Sequence, residues 1–199
     1  ILVGDNLATG WAAIERGTMQ PGDIVAVLGG GAVGQLTSLA AQSAGAGVVL
    51  LIEPNERRRA FAQANGAISV APEAARDILH RVSGGHGANL VVEAVGSPKV
   101  LSGAFDLVGR RGRIVSVGAP SEAQWPIPLA DCFTREISIG FAIGDSIRLR
   151  PKLLRMISTG VLDPTVVVDR HVRLDEVVEA YDAVRNQQSL KTVIVMKPA

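Results

Sequence analysis

Residues 23–34 read DIVAVLGGGAVG, and this stretch decides the fold. The apolar run from Ile24 to Leu28 is continuous and does not alternate, which predicts a strand covered on both faces, as in a parallel sheet. Gly29, Gly31 and Gly34 have the G-x-G-x-x-G spacing. They lie directly after the predicted strand and at the start of an Ala- and Leu-rich helix. That context predicts the first strand, loop and helix of a doubly wound α/β fold.

The glycine loop predicts a binding site for the pyrophosphate of a dinucleotide. Gly29 permits the tight turn, Gly31 leaves room for the pyrophosphate to approach the backbone, and Gly34 lets the helix pack close to the strand. Ala32 and Val33 follow within the same motif, where free N–H groups and the helix dipole favour an anion. We therefore predict that these five residues bind the cofactor.

Glu53 is the second predicted cofactor residue. It ends the second strand and follows Gly34 by about 20 residues, the position at which the fingerprint expects an acid. A carboxylate here accepts hydrogen bonds from the adenosine ribose and repels a 2′-phosphate, so it favours NAD over NADP. The alternative is an acid that only caps the next helix or is solvated. Arg57 and Arg58 keep NADP open, because an arginine can accept a 2′-phosphate, and Arg58 is included in the predicted site.

The remainder of the first 144 residues alternates strands with short helices. The spacing predicts helices over 56–65, 73–82 and 100–108 and further strands over 68–70, 89–93, 113–118 and 137–141. Six strands separated by helices indicate βαβ units, arranged as two sets of three in a doubly wound parallel sheet, the Rossmann fold.

The character changes after Gly144, so we divide the chain into a cofactor domain, 1–144, and a C-terminal segment, 145–199. Asp145 and Ser146 are predicted to cap a helix with Pro151 in its first turn. A second helix is predicted over 174–185 and a final strand over 192–196. The second helix has apolar residues at helical spacing, which we expect to pack in the core: Leu174, Val177, Val178, Tyr181 and Val184.

Composition restricts the classes of function. Hydrophobic residues make up 47% of the 199 residues and the formal charge is +1, which indicates a globular chain and argues against nucleic acid as a partner. No apolar run approaches the roughly 18 residues of a membrane span, and no signal peptide is visible, so we expect a cytoplasmic protein. The single cysteine, Cys132, excludes an intrachain disulfide. The chain starts at Ile1, from which we expect a piece of a longer protein.

Five segments, taken in order, are similar to the cofactor-binding part of the medium-chain dehydrogenase/reductase family, zinc-type alcohol dehydrogenases: 5–11, 21–29, 91–96, 112–118 and 160–164. The resemblance covers essentially the whole chain. It implies hydride transfer between NAD(H) and an alcohol, aldehyde or ketone, with zinc in the complete protein. It also implies a homo-oligomer, commonly a dimer paired through the edge strand near 137–141.

The resemblance implies further site residues. Thr9 aligns with a catalytic-site residue near the nicotinamide, and Val117 and the loop 141–143 look like the backbone that holds its carboxamide. Ala94 belongs to a matching motif and is taken as cofactor-binding. Lys191 matches a basic residue that reaches the pyrophosphate, against the alternative of a solvated lysine.

Asp5 aligns with the last protein ligand of the catalytic zinc, which is Cys, Asp or Glu in different members, and a carboxylate suits zinc. The alternative is an acid that caps or turns the segment. The family's other zinc ligands lie in a GroES-like catalytic domain that precedes the first residue here, and His80, His86 and His171 do not replace them. We expect residues 145–199 to pack on that domain.

Two other functions remain open. Zinc-free quinone or enoyl reductases share this cofactor domain, and a non-catalytic dinucleotide-binding module would need no other part. On the favoured interpretation, the chain alone binds dinucleotide and does not turn over alcohol.

Overall fold

The computed structural model describes residues 1–196 and contains a six-stranded parallel sheet. The strands are β1 Ile24–Leu28, β2 Val48–Ile52, β3 Ile68–Val70, β4 Ala88–Glu93, β5 Val108–Ser116 and β6 Ser138–Phe141. Their order is β3-β2-β1-β4-β5-β6. The chain runs outward from β1 on one side and from β4 on the other, so the switch point lies between these two strands. The predicted doubly wound sheet is confirmed.

Eight helices accompany the sheets in residues 1–196: α1 Asn6–Arg16, α2 Ala32–Ser43, α3 Glu56–Ala64, α4 Ala75–Val82, α5 Pro98–Leu107, α6 Leu129–Arg135, α7 Ser146–Ser158 and α8 Val177–Arg185. Short 3₁₀ turns occupy Leu2–Gly4, Pro72–Ala74, Pro164–Val167 and Leu174–Glu176. None of the helices in this part of the chain is long and apolar enough to cross a membrane.

The two faces of β1 explain its continuous apolar run. Val25 and Val27 pack with Leu36 of α2 and the buried residues of α1, while Ala26 and Leu28 pack on the opposite face with the helices α4 and α5. These four of the five residues of the strand are buried, because a parallel sheet is covered on both sides by its crossover helices.

Three elements of the sheet domain differ from the sequence prediction. The helix α1 was not predicted, although eight of its residues are buried. β5 begins at Val108, before the predicted residue 113, because the chain shifts register opposite Ala88 and Leu90 and pairs again from Arg113. The helix α6 was not predicted, and none of its residues is buried. A helix without a buried face leaves no hydrophobic pattern in the sequence.

The helix α7 follows the prediction except at one residue. The Asp145 side chain accepts a hydrogen bond from the Arg148 N–H at 3.0 Å, as predicted for a cap. Pro151 was placed in the first turn, and this was wrong: it lies inside the helix, in the second turn. The residue is exposed, so the helix loses one backbone hydrogen bond on its solvent side.

The packing predicted for α8 and its preceding turn was wrong. Leu174, Val178, Tyr181 and Val184 are exposed, Tyr181 by 74%, and the buried residues of the helix are Ala180 and Ala183. The helix approaches its neighbours through small side chains, so its large apolar side chains point outward. The final strand is confirmed, but it ends at Ile194: β8 Thr192–Ile194 pairs in parallel with β7 Arg170–Val172.

Candidate functional site

A cleft of about 950 Å³ opens at the carboxyl ends of the strands, beside the switch point. Five of the residues predicted from the sequence line it: Gly29, Gly31, Glu53, Arg58 and Ala94. They come from the ends of β1, β2 and β4 and from the first turn of α3. Ligands of open α/β sheets bind at this edge, so the fold brings these residues to the position that the glycine motif predicts.

The glycine loop has the backbone that its sequence requires. Gly29 has a φ of +99°, and a Cβ at Gly34 would lie 1.8 Å from the carbonyl oxygen of Gly29. Gly31 is different, since a Cβ there would meet nothing within 4 Å. The space over Gly31 is therefore open to a ligand, whereas the space at Gly34 is filled by the protein.

The open space lies at the start of α2. The N–H groups of the first turn, at Ala32 and Val33, have no acceptor within the helix, and Gly31 offers no side chain to cap them. The Gln35 side chain donates to the carbonyls of Gly30 at 3.2 Å and Arg58 at 2.9 Å, which fastens the loop to α3. Free N–H groups at a helix N-terminus beside open space are suited to an anion.

Glu53 is 4% exposed and is held by the backbone on both sides. Its Oε2 accepts the N–H of Gly30 at 2.6 Å and its Oε1 accepts the N–H of Asn55 at 2.9 Å. A carboxylate has about four acceptor positions, so capacity remains for ligand hydroxyls. The helix-cap alternative is not supported, because the α3 cap is Asn55, whose side chain accepts from Arg58 N–H at 3.2 Å.

The two arginines that kept NADP open point in different directions. Arg58 turns into the cleft, where its Nη1 lies 3.9 Å from Glu53 Oε2, and its buried Nε has no hydrogen-bond partner within residues 1–196. Arg57 turns away and forms an ion pair of 3.3 Å with Asp169. Arg58 therefore lines the cleft with a partly exposed guanidinium, whereas the charge of Arg57 is directed to Asp169.

Glu93 is a site residue that the sequence analysis missed. It ends β4 and is fully buried. Its Oε1 accepts the N–H groups of Val95 and Gly96, both at 2.7 Å, and its Oε2 accepts the Ser116 hydroxyl at 2.8 Å. Its carbonyl accepts the N–H of Val117 at 2.8 Å. Glu93 thus ties the cleft loop after β4 to the end of β5. An acid closing an otherwise apolar strand was the available signal.

Thr9 and Asp5 lie together in α1 and its cap, outside the residues that line the cleft. The Thr9 hydroxyl is 3.5 Å from Asp5 Oδ1, and a Cβ on Gly144 would lie 2.5 Å from the same hydroxyl. The end of the loop after β6 therefore packs directly on Thr9. Ile143, in the same loop, is 92% exposed.

Lys191 also lies outside the cleft lining. It directly precedes β8, and its backbone N–H donates to Asp169 Oδ1 at 3.1 Å. The structure therefore brings Gly29, Gly31, Glu53, Arg58 and Ala94 together at the cleft. The other predicted site residues are not among those that line it: Asp5, Thr9, Ala32, Val33, Gly34, Val117 and Lys191.

The described residues supply part of a zinc site at most. Within 1–196, no group of three His, Cys, Asp or Glu side chains is arranged to hold a metal. Asp5 Oδ2 accepts from the Asn6 side chain at 3.2 Å. Burial, and then the charge of Asp131, raise the pKa of the Cys132 thiol, which disfavours the thiolate that a nucleophile needs.

Comparison with known proteins assigns the family. The family model for zinc-binding dehydrogenases matches residues 32–159. The chain is 31% identical to a "Probable zinc-binding alcohol dehydrogenase" of Mycobacterium tuberculosis, over 100% of this chain and 51% of that protein. The structure of the alcohol dehydrogenase TADH from Thermus sp. ATN1 superposes with a TM-score of 0.94 and 29% identity, over 98% of this chain and 58% of that one.

A third similar structure includes a cofactor. It is a protein assigned as a zinc-binding dehydrogenase from Sinorhizobium meliloti 1021, solved bound to NADP, with a TM-score of 0.83 and 25% identity. The match extends over 96% of this chain and 58% of that protein. The chain spans about half the length of the relatives it matches, and the half that it matches is their C-terminal one. The chain belongs to the zinc-binding dehydrogenase family.

Proposed function

We propose that this chain is the NAD(H)-binding part of an alcohol dehydrogenase-like oxidoreductase. The observation that carries the proposal is Glu53, a buried carboxylate fixed at the end of β2 beside the glycine loop. When bound, the nicotinamide supplies hydride transfer to or from a small alcohol, aldehyde or ketone. The residues of this chain bind and orient the dinucleotide.

Each part of the dinucleotide has a proposed partner. The N–H groups of Ala32 and Val33 face the pyrophosphate, and Glu53 accepts from the adenosine ribose. Arg58 lines the same end of the cleft and supplies its guanidinium there. Outside the residues that line the cleft, Val117 and the loop 141–143 hold the carboxamide, and Gly144, which follows that loop, packs on Thr9.

A preference for NAD follows from how Glu53 is held. Its two backbone hydrogen bonds, from Gly30 and Asn55, prevent the carboxylate from turning away from the cleft. A 2′-phosphate would then meet a fixed negative charge in a buried setting, where repulsion is strong. The Arg58 guanidinium lies 3.9 Å from this carboxylate, so part of the positive charge of Arg58 is already compensated by Glu53.

The zinc-dependent part of the proposal extends beyond the described site. Asp5 fits as one carboxylate ligand, and the remaining ligands would come from the part of the relatives that this chain does not match. We propose residues 1–144 as the cofactor domain and 145–199 as the segment that packs on a catalytic domain. A cytoplasmic homo-oligomer is proposed for the complete protein.

Calorimetric titration of the chain with NADH and NADPH tests the proposal. We expect tighter binding of NADH. Glu53→Ala should weaken the binding of NADH by about tenfold or more, since a charge-assisted hydrogen bond contributes about 1.5–3 kcal/mol. The same substitution should reduce the preference for NADH over NADPH. Glu56→Gln, an exposed acid in the first turn of α3, is the matched control. Binding of neither dinucleotide, or a wild-type preference for NADPH, would contradict the proposal.

A further inference from the structure

The loop Gln187–Lys191, here the latch loop, connects α8 to β8 and packs on the first turn of α3. Arg57 of α3 donates to the carbonyl of Gln188. The Asn55 side chain lies 3.4 Å from Oε1 of Gln187. These contacts join residues more than 100 positions apart in sequence, so the tertiary fold holds the loop in addition to the local hydrogen bonds that end α8.

One carboxylate organises the latch loop. Asp169 Oδ1 accepts the Ser189 hydroxyl at 2.7 Å and the Lys191 N–H at 3.1 Å. Its Oδ2 accepts the Leu190 N–H at 2.8 Å and the Arg57 guanidinium at 3.3 Å. Four donors from two segments therefore fill the carboxylate, whose side chain is 14% exposed.

The latch loop forms part of the cofactor cleft. Gln187 lines it together with Glu53 and Arg58, and Gln187 has a φ of +57°. That left-handed conformation ends α8, because the N–H groups of Gln187 and Gln188 bond back to the carbonyls of Val184 and Ala183. Asn55 completes the connection, because its N–H is bound to Glu53 and its side chain reaches Gln187.

We propose that Asp169, paired with Arg57, is a positioning residue for dinucleotide binding: it locks the latch loop onto α3 and so sets the wall of the cleft beside Glu53. The inference rests on the proposed function, since it concerns the affinity of the same cleft. Asp169 does not line the cleft itself. It acts through Gln187 and fixes the backbone of Lys191 by the same contacts.

The lock, meaning the hydrogen bonds and ion pair by which Asp169 joins the latch loop to Arg57, requires a carboxylate. An asparagine in this position keeps one oxygen acceptor and turns an NH₂ group toward donors, which leaves N–H groups of the loop unpaired. Burial by itself raises the pKa of Asp169, but hydrogen bonds from Ser189, Leu190 and Lys191 and the charge of Arg57 together lower it. The lock is therefore charged at neutral pH.

The test compares Asp169→Asn with Asp163→Asn in the full chain. Asp163 is the matched control, because its carboxylate caps Thr165 in the same segment and its recorded contacts do not include the latch loop. Hydrogen exchange at the amides of Leu190 and Lys191 reports the lock directly. Titration with NADH and with ADP-ribose, which lacks the nicotinamide, reports the cleft wall.

We expect Asp169→Asn to accelerate exchange of those two amides by about tenfold or more, as for loss of a charge-assisted hydrogen bond, with β4 amides unchanged. The affinities for NADH and for ADP-ribose should fall by the same factor, about fivefold to tenfold. Arg57→Gln should lower both affinities by less. Exchange that accelerates throughout the sheet, or affinities equal to those of Asp163→Asn, would overturn the inference. A wild-type chain that binds neither ligand would overturn the proposed function, and the exchange result would still decide whether Asp169 locks the loop.

Discussion

The sheet domain and the C-terminal segment use the same kind of sequence pattern to different ends. In β1, β2 and β4 the large apolar side chains are almost all buried, whereas α8 buries Ala180 and Ala183 and exposes Val178 and Tyr181. Hydrophobic periodicity shows which face of an element is apolar, but not what covers that face. In the sheet domain, the helices that cover each strand lie next to it in the sequence. The sequence next to α8 does not indicate which element would cover that helix.

The C-terminal segment is nevertheless firmly attached through α7. Leu149 and Leu153 are fully buried in the core that α1 and α2 share. Beside them, Glu15 of α1 accepts from Arg148 at 2.8 Å and from Lys152 at 3.2 Å. Within residues 145–196, α7 therefore anchors the segment on the sheet domain, whereas α8 keeps large apolar side chains exposed.

Gly34→Ala should have the largest effect in the sheet domain. The added Cβ would lie 1.8 Å from the Gly29 carbonyl oxygen, so α2 must shift away from β1, and we expect a loss of at least about 4 kcal/mol in the free energy of unfolding. Gly31→Ala is the matched control in the same loop: stability should stay within about 0.5 kcal/mol, while NADH binding weakens. Urea denaturation measures both variants, and equal destabilisation would refute the distinction between protein-filled and ligand-facing space.

Leu153→Ala in α7 should cost about 2–4 kcal/mol, because a fully buried leucine leaves a cavity between α7 and α1. Leu154→Ala, one residue along the same helix and 51% exposed, should cost well under half as much. Thermal and urea unfolding decide the comparison. If the two variants were equally stable, α7 would not share the core of the sheet domain.

Acid should loosen the contact between α1 and α7. Burial raises the pKa of Glu15, but hydrogen bonds from Arg148, Lys152 and Trp11 together lower it below its ordinary value. A lowered folded-state pKa adds stability that is complete above the ordinary glutamate range and is lost as the pH falls through the lowered pKa. The partners are largely exposed, so we expect about 1 kcal/mol or less. Glu15→Gln should flatten this part of the stability-against-pH curve, and an unchanged curve would contradict the assignment.

Tyr181→Ser in α8 should have the smallest effect. The side chain is 74% exposed, so the free energy of unfolding of this chain should change by no more than about 0.5 kcal/mol. A loss above about 1 kcal/mol would show that Tyr181 is covered in solution, and would remove the contrast between α7 and α8.

The predictable part of the fold was the part whose evidence is local. The bounds of β3 and the positions of the glycine loop and Glu53 at the ends of β1 and β2 were predicted as they are found, since buried parallel strands give continuous apolar runs and the loop has fixed spacing. The outward face of α8 and the helix α6 were not, because the first depends on tertiary contacts and the second buries nothing.

The site divides in the same way. The sequence identified the residues that a motif places at the cleft, but it did not identify the roles of Glu93 and Asp169. Glu93 takes its donors from the loop after β4 and from Ser116 of β5, and Asp169 takes its donors from the latch loop and α3. Backbone donors that distant segments bring to one carboxylate have no signature in sequence spacing.

The carboxylate of Glu93 also sets rules for recombining this chain with its relatives. Since it joins the loop after β4 to the end of β5, a chimera with a breakpoint between Gly96 and Ser116 would separate the carboxylate from the Ser116 hydroxyl and leave its buried Oε2 without that donor when the relative has no hydroxyl there. A breakpoint after Ser121, whose N–H bonds to the carbonyl of Gly96, transfers the whole set together. Shuffled libraries of this family should therefore yield folded chimeras more often when residues 93–121 are exchanged as one block.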